Sequence, residues 1–507
     1  MSIFAKKSIT TLISEANEEG SGTLKKTLSA WGLTALGVGA IIGAGLFSLT
    51  GITAAENAGP AVTLAFIIAA IGCAFAGLCY AEFASMIPVA GSAYTYSYAT
   101  MGEFMAWIIG WDLVLEYALA SATVASSWSQ YVSQLLQIFN IHIPNEFLYS
   151  PGVTHHIIDK TTGLATTFDG GIVNLPAIII VCLLSLLLMR GTKESAFVNN
   201  ILVILKVSVV VIFIALGWSF INPDNLTPFI PANHGEELYK SGQIGFFDFL
   251  TSDDFGKFGI SGILRAAGVL FFAFVGFDAV STAAQEAKNP KVGMPIGIIG
   301  SLVLCTILYV LFAHVLTGLE HYTNFKGDAK PVATAFAKTG YHFLNTALIV
   351  TIIAGYTSVI LVMLMGQSRV FYSMSKDGLL PKVFSDLSKN QTPWKSNLIF
   401  MFFVSIFAGF VPVAELGHMV SIGTLFAFTL VCIGVLVLRK TNPEIERPFK
   451  TPLVPLVPIL GIIVCLLLMI SLPIESWERL GIWMVIGVIV YFVYSKNHSK
   501  LRNSKKA

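Results

Sequence analysis

The fold of this chain is decided by residues 37–47, GVGAIIGAGLF. This stretch lies inside an apolar run, residues 33–55, that is long enough to cross a bilayer as a helix (~20 residues). It holds four glycines in nine positions, and each costs a helix roughly 1 kcal/mol against alanine. Hydrocarbon tolerates irregular backbone only where protein or a water-filled cavity satisfies the peptide groups. We therefore expect a membrane-spanning helix that breaks at its centre, beside a polar cavity.

Such a break suggests what the cavity binds. Two half-helices that meet at the midplane direct free N–H groups at an anion and free carbonyls at a cation. An amino acid carries both charges on one carbon, so the hypothesis is an amino acid site. The spacing Gly39-x-x-x-Gly43 also fits a close helix–helix contact, and this alternative stays open. A dinucleotide loop is disfavoured because no strand–turn–helix context surrounds the glycines.

The composition identifies an integral membrane protein. Of 507 residues, 55% are hydrophobic and only 12% are charged, whereas soluble domains are about 25% charged. All six cysteines fall inside apolar runs, so they are expected as buried thiols and not as a disulfide framework. The polar N-terminal segment lacks the apolar core of a cleavable signal peptide.

Hydropathy and charge predict the topology. The apolar runs number twelve, with approximate cores at 33–55, 62–87, 104–136, 172–189, 197–220, 261–285, 296–318, 343–368, 397–411, 416–438, 455–472 and 478–494. With the N-terminus placed in the cytoplasm, 22 of the 31 Lys and Arg residues lie inside and 8 outside. The positive-inside rule then predicts a multi-pass protein of the plasma membrane with both termini cytoplasmic.

Two ionisable residues lie deep in predicted spans. Glu116 is roughly 20 Å along the third span from Glu103, near or past the bilayer centre. Lys206 is about 13 Å along the fifth span, too deep to reach the headgroups easily. Intramembrane charges are costly and tend to be functional, so both are candidates for proton coupling and for pairing with each other. The alternatives are a protonated structural acid at Glu116 and a permanently paired structural lysine at Lys206.

The sixth span repeats the logic of the first. Gly276 and Asp278 fall at its centre, which predicts a second break with Asp278 capping the half-helix that follows. Direct contact of Asp278 with the substrate is the alternative. Interruptions in spans one and six indicate two five-helix repeats. The odd repeat size makes their topologies inverted, and spans eleven and twelve lie outside the pair.

Three motifs carry a resemblance to a known family. They are the glycine stretch at 37–47, GFDAVSTAAQEAKNP at 276–290, and GQSR at 366–369 followed by MSKDG at 374–378. Over residues 33–494 the chain resembles the amino acid–polyamine–organocation superfamily, and most of all the bacterial members of its cationic amino acid transporter branch. The resemblance implies an all-α fold of twelve transmembrane helices of the leucine-transporter type, with a 5+5 inverted repeat plus two helices and alternating access.

The resemblance also implies the site residues. The substrate carboxylate would meet backbone amides at Gly43, Ala44 and Gly45, and Lys206 would take the place that sodium holds in other relatives. Many relatives have Ser or Thr where this chain has Ala44, which removes one hydroxyl donor. The remaining substrate-binding candidates are Ile41, Ile42, Phe272, Ala273, Phe274, Val275 and Gly276, and the side-chain pocket candidates are Phe274, Phe277, Met363 and Met365.

The chain divides into six expected segments. These are a cytoplasmic N-terminal segment (1–28), the first repeat (29–220), an external loop (221–260), the second repeat (261–440), spans eleven and twelve (441–495), and a cytoplasmic tail (496–507). No cofactor, metal site or nucleic-acid partner is expected. A small single-span partner subunit is left open.

The expected function is a secondary transporter that imports L-amino acids with protons. The apolar pocket candidates favour small or medium neutral side chains. A sodium symporter, an amino acid exchanger and a non-transporting amino acid sensor remain alternatives. A membrane enzyme is disfavoured because the histidines and cysteines are scattered, without a His-Glu-x-x-His or paired metal spacing.

Overall fold

The structure is a computed structural model, and it is helical almost throughout. It describes residues 3–8, 12, 28–87, 92–152, 154–158, 165–190, 196–243, 245, 249, 252, 254–282, 284, 287–328, 330–388 and 392–504. The only strands in these ranges form one antiparallel hairpin, β1 (Thr154–Ile158) with β2 (Ala165–Asp169), in the connection after the third apolar run. This hairpin is a small correction to the all-α expectation.

The helices follow the predicted apolar runs. Before the hairpin they are α1 (Ala30–Ile41), α2 (Thr50–Thr53), α3 (Val62–Met86), α4 (Ser92–Thr100) and α5 (Glu103–Ile138). After it come α6 (Leu175–Arg190), α7 (Ala196–Gly217), α8 (His234–Lys240), α9 (Gly259–Leu270), α10 (Ala279–Thr282), α11 (Pro290–Leu319), α12 (Pro331–Ala337) and α13 (His342–Lys376). The last are α14 (Trp394–Phe410), α15 (Val413–Thr441), α16 (Leu456–Ser471), α17 (Ile474–Val490), α18 (Lys496–His498) and α19 (Lys500–Ser504).

Length and composition show which helices suit a membrane. Within the described ranges, seven are long and apolar enough to cross one: Gly45–Met86, Glu103–Ile138, Ile201–Phe220, Pro290–Leu319, Phe343–Lys376, Val413–Thr441 and Ile474–His498. Five more apolar helices are shorter: Ala30–Ile41, Leu175–Arg190, Gly259–Phe274, Trp394–Phe410 and Leu456–Ser471. The Glu103–Ile138 helix lies at the centre, since its most apolar window is entirely buried.

Both expected helix breaks are present. The helix α1 ends at Ile41, Ile42 is extended (ψ 102°), and the chain resumes as a π-helical turn, Gly45–Leu49. The helix α9 tightens into a 3₁₀ turn, Phe271–Phe274, and leaves helical geometry at Val275 (ψ 132°) before α10 begins. Gly276 in this second break has φ +122°, a conformation that side chains disfavour.

The two breaks pack against each other reciprocally. A Cβ atom added to Gly45, just after the first break, would lie 2.3 Å from the Cα of Ala273, just before the second. A Cβ added to Gly276, in the second break, would lie 2.8 Å from the carbonyl carbon of Ala40, just before the first. The glycines therefore allow backbone-to-backbone contact at both crossings.

A buried ion cluster joins α3 to the end of α15 and the segment after it. Glu82 is 1% exposed and accepts hydrogen bonds from Arg439 Nε (2.9 Å) and Nη2 (2.8 Å). It also lies 3.3 Å from the Nε of Arg447 and accepts the N–H of Thr451 at 2.8 Å. One carboxylate thus balances two guanidinium groups, one of which is only 3% exposed.

Neutralising Glu82 is expected to destabilise the fold. Removing one partner of a buried ion pair leaves an uncompensated charge and costs about 3 kcal/mol, so Glu82→Gln should lower the free energy of unfolding by that amount. A denaturant titration of the purified protein in detergent micelles measures it. The control is Glu446→Gln, because the Lys291–Glu446 pair is 60% and 81% exposed and should contribute little. Equal effects from both variants would contradict the prediction.

Both ends of the described chain dock on the junction of α4 and α5. The N–H groups of Glu103 and Phe104 donate to the carbonyls of Ala5 and Ile3 at 3.0 Å each. Glu103 is fully buried, and it accepts hydrogen bonds from Tyr98, Tyr491 and Ser499 and pairs with Arg502 at 3.1 Å. The base of the central helix is thus held by both terminal segments.

Candidate functional site

A small cavity lies between the two helix breaks. The space between its atoms amounts to about 240 Å³ and is partly open to the surroundings. Its wall combines both breaks with α5 and α13 and consists of Ala40, Ile41, Gly43, Ala44, Gly45, Ala120, Val124, Phe272, Val275, Val359 and Met363. Seven of the predicted substrate-binding and pocket residues are therefore brought to one place, and no charged side chain is among the residues named.

The backbone gives this cavity its polarity. The first N–H groups of any helix lack partners within that helix, and here the half-helix that starts at Gly45 begins at the cavity wall. Carbonyls before each break likewise leave the helical pattern. Tyr309 of α11 uses two of them, since its hydroxyl lies 2.9 Å from the oxygen of Ile41 and 3.0 Å from that of Ala273.

Lys206 contacts the first broken helix directly. Its side chain is 2% exposed, and its ammonium donates to the carbonyl of Gly39 at 2.8 Å. The alkyl chain packs on α13, where a Cβ at Gly355 would lie 3.0 Å from Lys206 Cε. Lys206 thus joins α7, α13 and α1, and its hydrogen-bond partner on α1, Gly39, lies two residues before the last residue of that helix.

Glu116 belongs to a separate acidic group. Asp112 lies one helical turn before it and Asp278 is a further acidic neighbour, while Lys206 bonds Gly39. Neither carboxyl oxygen of Glu116 accepts a hydrogen bond from the described residues. Thr424 of α15 donates its hydroxyl to the carbonyl of Val420 instead.

Asp278 is held within the second break. One of its oxygens accepts the N–H of Gly276 at 3.1 Å, and the other accepts the hydroxyl of Tyr117 at 2.6 Å. Tyr117 lies next to Glu116 on the central helix, α5. The hydrogen bond from Tyr117 to Asp278 therefore connects this helix to the second break. The carboxylate therefore bonds a peptide group that precedes it in the chain.

Six predicted residues lie outside the cavity wall, and one of them, Ala273, packs against Gly45 where the two breaks meet. Phe274 packs on Phe66 and Tyr309, with ring centroids 6.3 and 5.3 Å away, and Phe277 packs on Tyr80 and Phe428 at 5.6 and 4.9 Å. Ile42 and Gly276 are buried in the breaks without lining it. Met365 is also outside, because it is two residues and roughly 200° around α13 from Met363.

The sequence interpretation missed Ala120, Val124 and Val359 of the wall, together with Tyr309 and the wall residue Ala40. Helical spacing could have indicated the first three. Ala120 and Val124 follow Glu116 at intervals of four, and Val359 precedes Met363 by four, so each pair shares one helix face. Nothing in the sequence pattern indicates Tyr309 as a site residue, because α11 is apolar on all sides and 268 residues separate Tyr309 from Ile41.

A second cavity lies toward the hairpin connection and the segment after α11. The space between its atoms amounts to about 550 Å³ and is partly open to the surroundings, and its wall includes Glu56, Gln130, Tyr149 and Asn174. Burial raises the pKa of the Tyr149 phenol, and the Asp328 carboxylate adds to this effect. Tyr149 therefore remains neutral at this polar recess.

Comparison with known proteins identifies the family. The family model described as amino acid permease matches residues 28–497, which is most of the chain and includes both breaks. This chain belongs to the amino acid permease family. The resemblance to the amino acid–polyamine–organocation superfamily is thereby confirmed, and the permease is a membrane transporter and not an enzyme.

Several relatives resemble this permease. The branched-chain amino acid permease BcaP of Bacillus subtilis (strain 168) is 44% identical over 501 residues, 99% of each chain. The methylthioribose transporter of the same organism is 41% identical over 502 residues, also 99% of each chain. The vacuolar cationic amino acid transporter 4 of Arabidopsis thaliana is 36% identical over 430 residues, 84% of this chain and 65% of that one.

Proposed function

We propose that this permease imports neutral L-amino acids, of the branched-chain type, together with protons. The observation that carries the proposal is the cavity between the two broken helices, which is polar along the backbone and apolar along its side chains. The name of the 44% identical relative, a branched-chain amino acid permease, supports the same substrate class. A cationic side chain would need an acidic partner, and no acidic residue is among those that form the wall.

The backbone would bind the common part of the substrate. The carboxylate would accept from the amides of Gly43, Ala44 and Gly45, at the positive end of the new half-helix. The ammonium would donate to carbonyls at Ile41, Phe272 and Val275 on the facing wall. The aliphatic side chain would then pack on residues of α5 and α13, namely Ala120, Val124, Val359 and Met363.

Proton coupling is assigned to Lys206 and Glu116. A protonated Lys206 holds the carbonyl of Gly39, so loss of its proton would release the first broken helix. Glu116 would carry a proton as the acid on the cavity face of α5, and Asp278 would stabilise the second break. These roles would link the charge of the two groups to the geometry of the site.

We also propose the topology that the sequence predicts. The broken pieces Ala30–Ile41 and Gly45–Ala58 would make one crossing, and the remaining apolar helices would complete twelve. The reciprocal packing of Gly45 on Ala273 and of Gly276 on Ala40 supports two inverted repeats, because a two-fold relation exchanges the breaks. Both termini would be cytoplasmic in the plasma membrane, and we propose the same segment boundaries that the sequence predicts.

Uptake into proteoliposomes tests this function. With an inward proton gradient, labelled L-leucine, L-isoleucine or L-valine is expected to accumulate at least tenfold above the level without a gradient, and labelled L-arginine is not. A sodium gradient at equal pH on both sides is the matched control and should drive no accumulation. Accumulation driven by sodium and indifferent to pH would contradict the proton coupling.

Methylthioribose is a second candidate substrate. The relative named for its transport is 41% identical over nearly the full length of both chains. This thioether sugar lacks both the carboxylate and the ammonium, so it would use the apolar wall without the charged ends of the two breaks. A competition experiment distinguishes the two substrates. Excess methylthioribose should leave the uptake of labelled leucine unchanged if the substrate is an amino acid.

A further inference from the structure

Tyr309 occupies a point at which two main-chain carbonyls meet. Its hydroxyl is 2.9 Å from the oxygen of Ile41, the last residue of α1, and 3.0 Å from that of Ala273, within the turn before the second break. The ring is fully buried between Phe66 and Phe274, with centroid distances of 5.4 and 5.3 Å. The aromatic packing therefore fixes the hydroxyl in place.

One hydroxyl group faces two main-chain carbonyl oxygens at this place. A phenol has one proton to donate, and here two acceptors share it. Main-chain carbonyls released by broken helices and directed at one point are the ligands that alkali-metal cations take in membrane transporters. In this chain a neutral hydroxyl from a third helix lies there, while Lys206 supplies an ammonium to Gly39 nearby. Both donors belong to the protein.

We propose that Tyr309 is a positioning residue that ties the two helix breaks together and takes the place of a metal cation at the carbonyls of Ile41 and Ala273. The proposal rests on the proposed function, because the site that it positions is the amino acid site. Each carbonyl oxygen has a second lone pair, so Ile41, which also lines the cavity, can still accept the substrate ammonium. Substrate affinity then depends on this hydroxyl and is independent of sodium.

Removing the hydroxyl tests the positioning role. Tyr309→Phe keeps the ring packing but leaves two buried carbonyls without their donor. We expect the KM for leucine to rise about tenfold, with the maximal rate within twofold of wild type and the proton-driven accumulation ratio preserved, since Lys206 is untouched. Equilibrium binding of labelled leucine to the purified protein should show the same tenfold loss.

The control is Tyr356→Phe. That hydroxyl is equally buried but pairs with the hydroxyl of Ser48 at 2.9 Å, not with a break carbonyl, so its KM should stay within twofold of wild type. An unchanged KM in Tyr309→Phe, with or without a lower melting temperature, would overturn the proposal. An equal rise of KM in both variants would do the same.

A cation test needs no variant. Leucine binding to the wild type is expected to be equal in sodium, potassium and choline chloride at one pH. A lower Kd in sodium would overturn the proposal even if transport is proton-driven. If the wild type binds no amino acid in any of these salts, the proposed function itself is refuted. The wild-type measurement comes before the comparison of variants, so this outcome is distinguished from a failure of the Tyr309 proposal.

Discussion

Replacing Gly45 with alanine is expected to reduce leucine uptake at least 100-fold. The new Cβ would lie 2.3 Å from the Cα, 2.5 Å from the Cβ and 2.9 Å from the nitrogen of Ala273. These atoms belong to the backbone and first side-chain atom of the other break, so no flexible group can move aside. The two breaks would separate, and binding geometry tolerates errors of about an ångström poorly. Initial rates in proteoliposomes, normalised to reconstituted protein, measure the effect.

A matched glycine separates this contact from a general effect of substitution. Gly481 of α17 has open space around its Cβ position, so Gly481→Ala should transport within twofold of wild type. Gly276→Ala should be as damaging as Gly45→Ala, because it clashes with Ala40 and also requires a side chain at φ +122°. Uptake by Gly45→Ala within threefold of wild type would show that the breaks do not need this contact.

Lys206→Met is expected to abolish accumulation driven by a pH gradient. Methionine keeps the unbranched chain that packs on Gly355 but removes the ammonium that holds Gly39. The inside-to-outside ratio of leucine should fall to about one, while equilibrium binding stays within roughly tenfold, because the proton-carrying group is lost and the backbone of the site remains. The measurement is the steady-state ratio in proteoliposomes with and without the gradient.

The control is Lys240→Met. Lys240 pairs with Glu236 on a short helix outside the apolar spans, and its side chain is 70% exposed. Its replacement should leave the accumulation ratio unchanged. Full pH-driven accumulation by Lys206→Met would remove Lys206 from the coupling mechanism.

Local chemistry made much of this fold predictable from the sequence. Glycines at 37–45 and at 276, within apolar runs, have physical consequences that do not depend on the rest of the chain, and the helices break there. Depth along a helix is also local, since it follows from counting residues. That is why the burial of Lys206 and Glu116 could be expected before any contact was known.

The direction of a side chain around its helix was not predictable in the same way. Lys206 and Glu116 are candidates for pairing because both lie deep, but Lys206 bonds Gly39 and Glu116 has Asp112 and Asp278 as its acidic neighbours. The rotation of each helix depends on packing with distant segments. The contact of Lys206 with Gly39 spans 167 residues and that of Tyr309 with Ile41 spans 268.

The hydrogen bonds and the ion pair of Glu103 also have a consequence for the synthesis of the chain. This carboxylate lies at the start of the central helix, yet 396 residues separate it from Ser499, and its cationic partner, Arg502, is synthesised later still. During synthesis the Glu103 carboxylate at the start of α5 therefore lacks its cationic partner until the C-terminal segment has been made. A nascent or prematurely ended chain would keep this carboxylate without its cationic partner. Quality-control proteases could recognise the local defect that results.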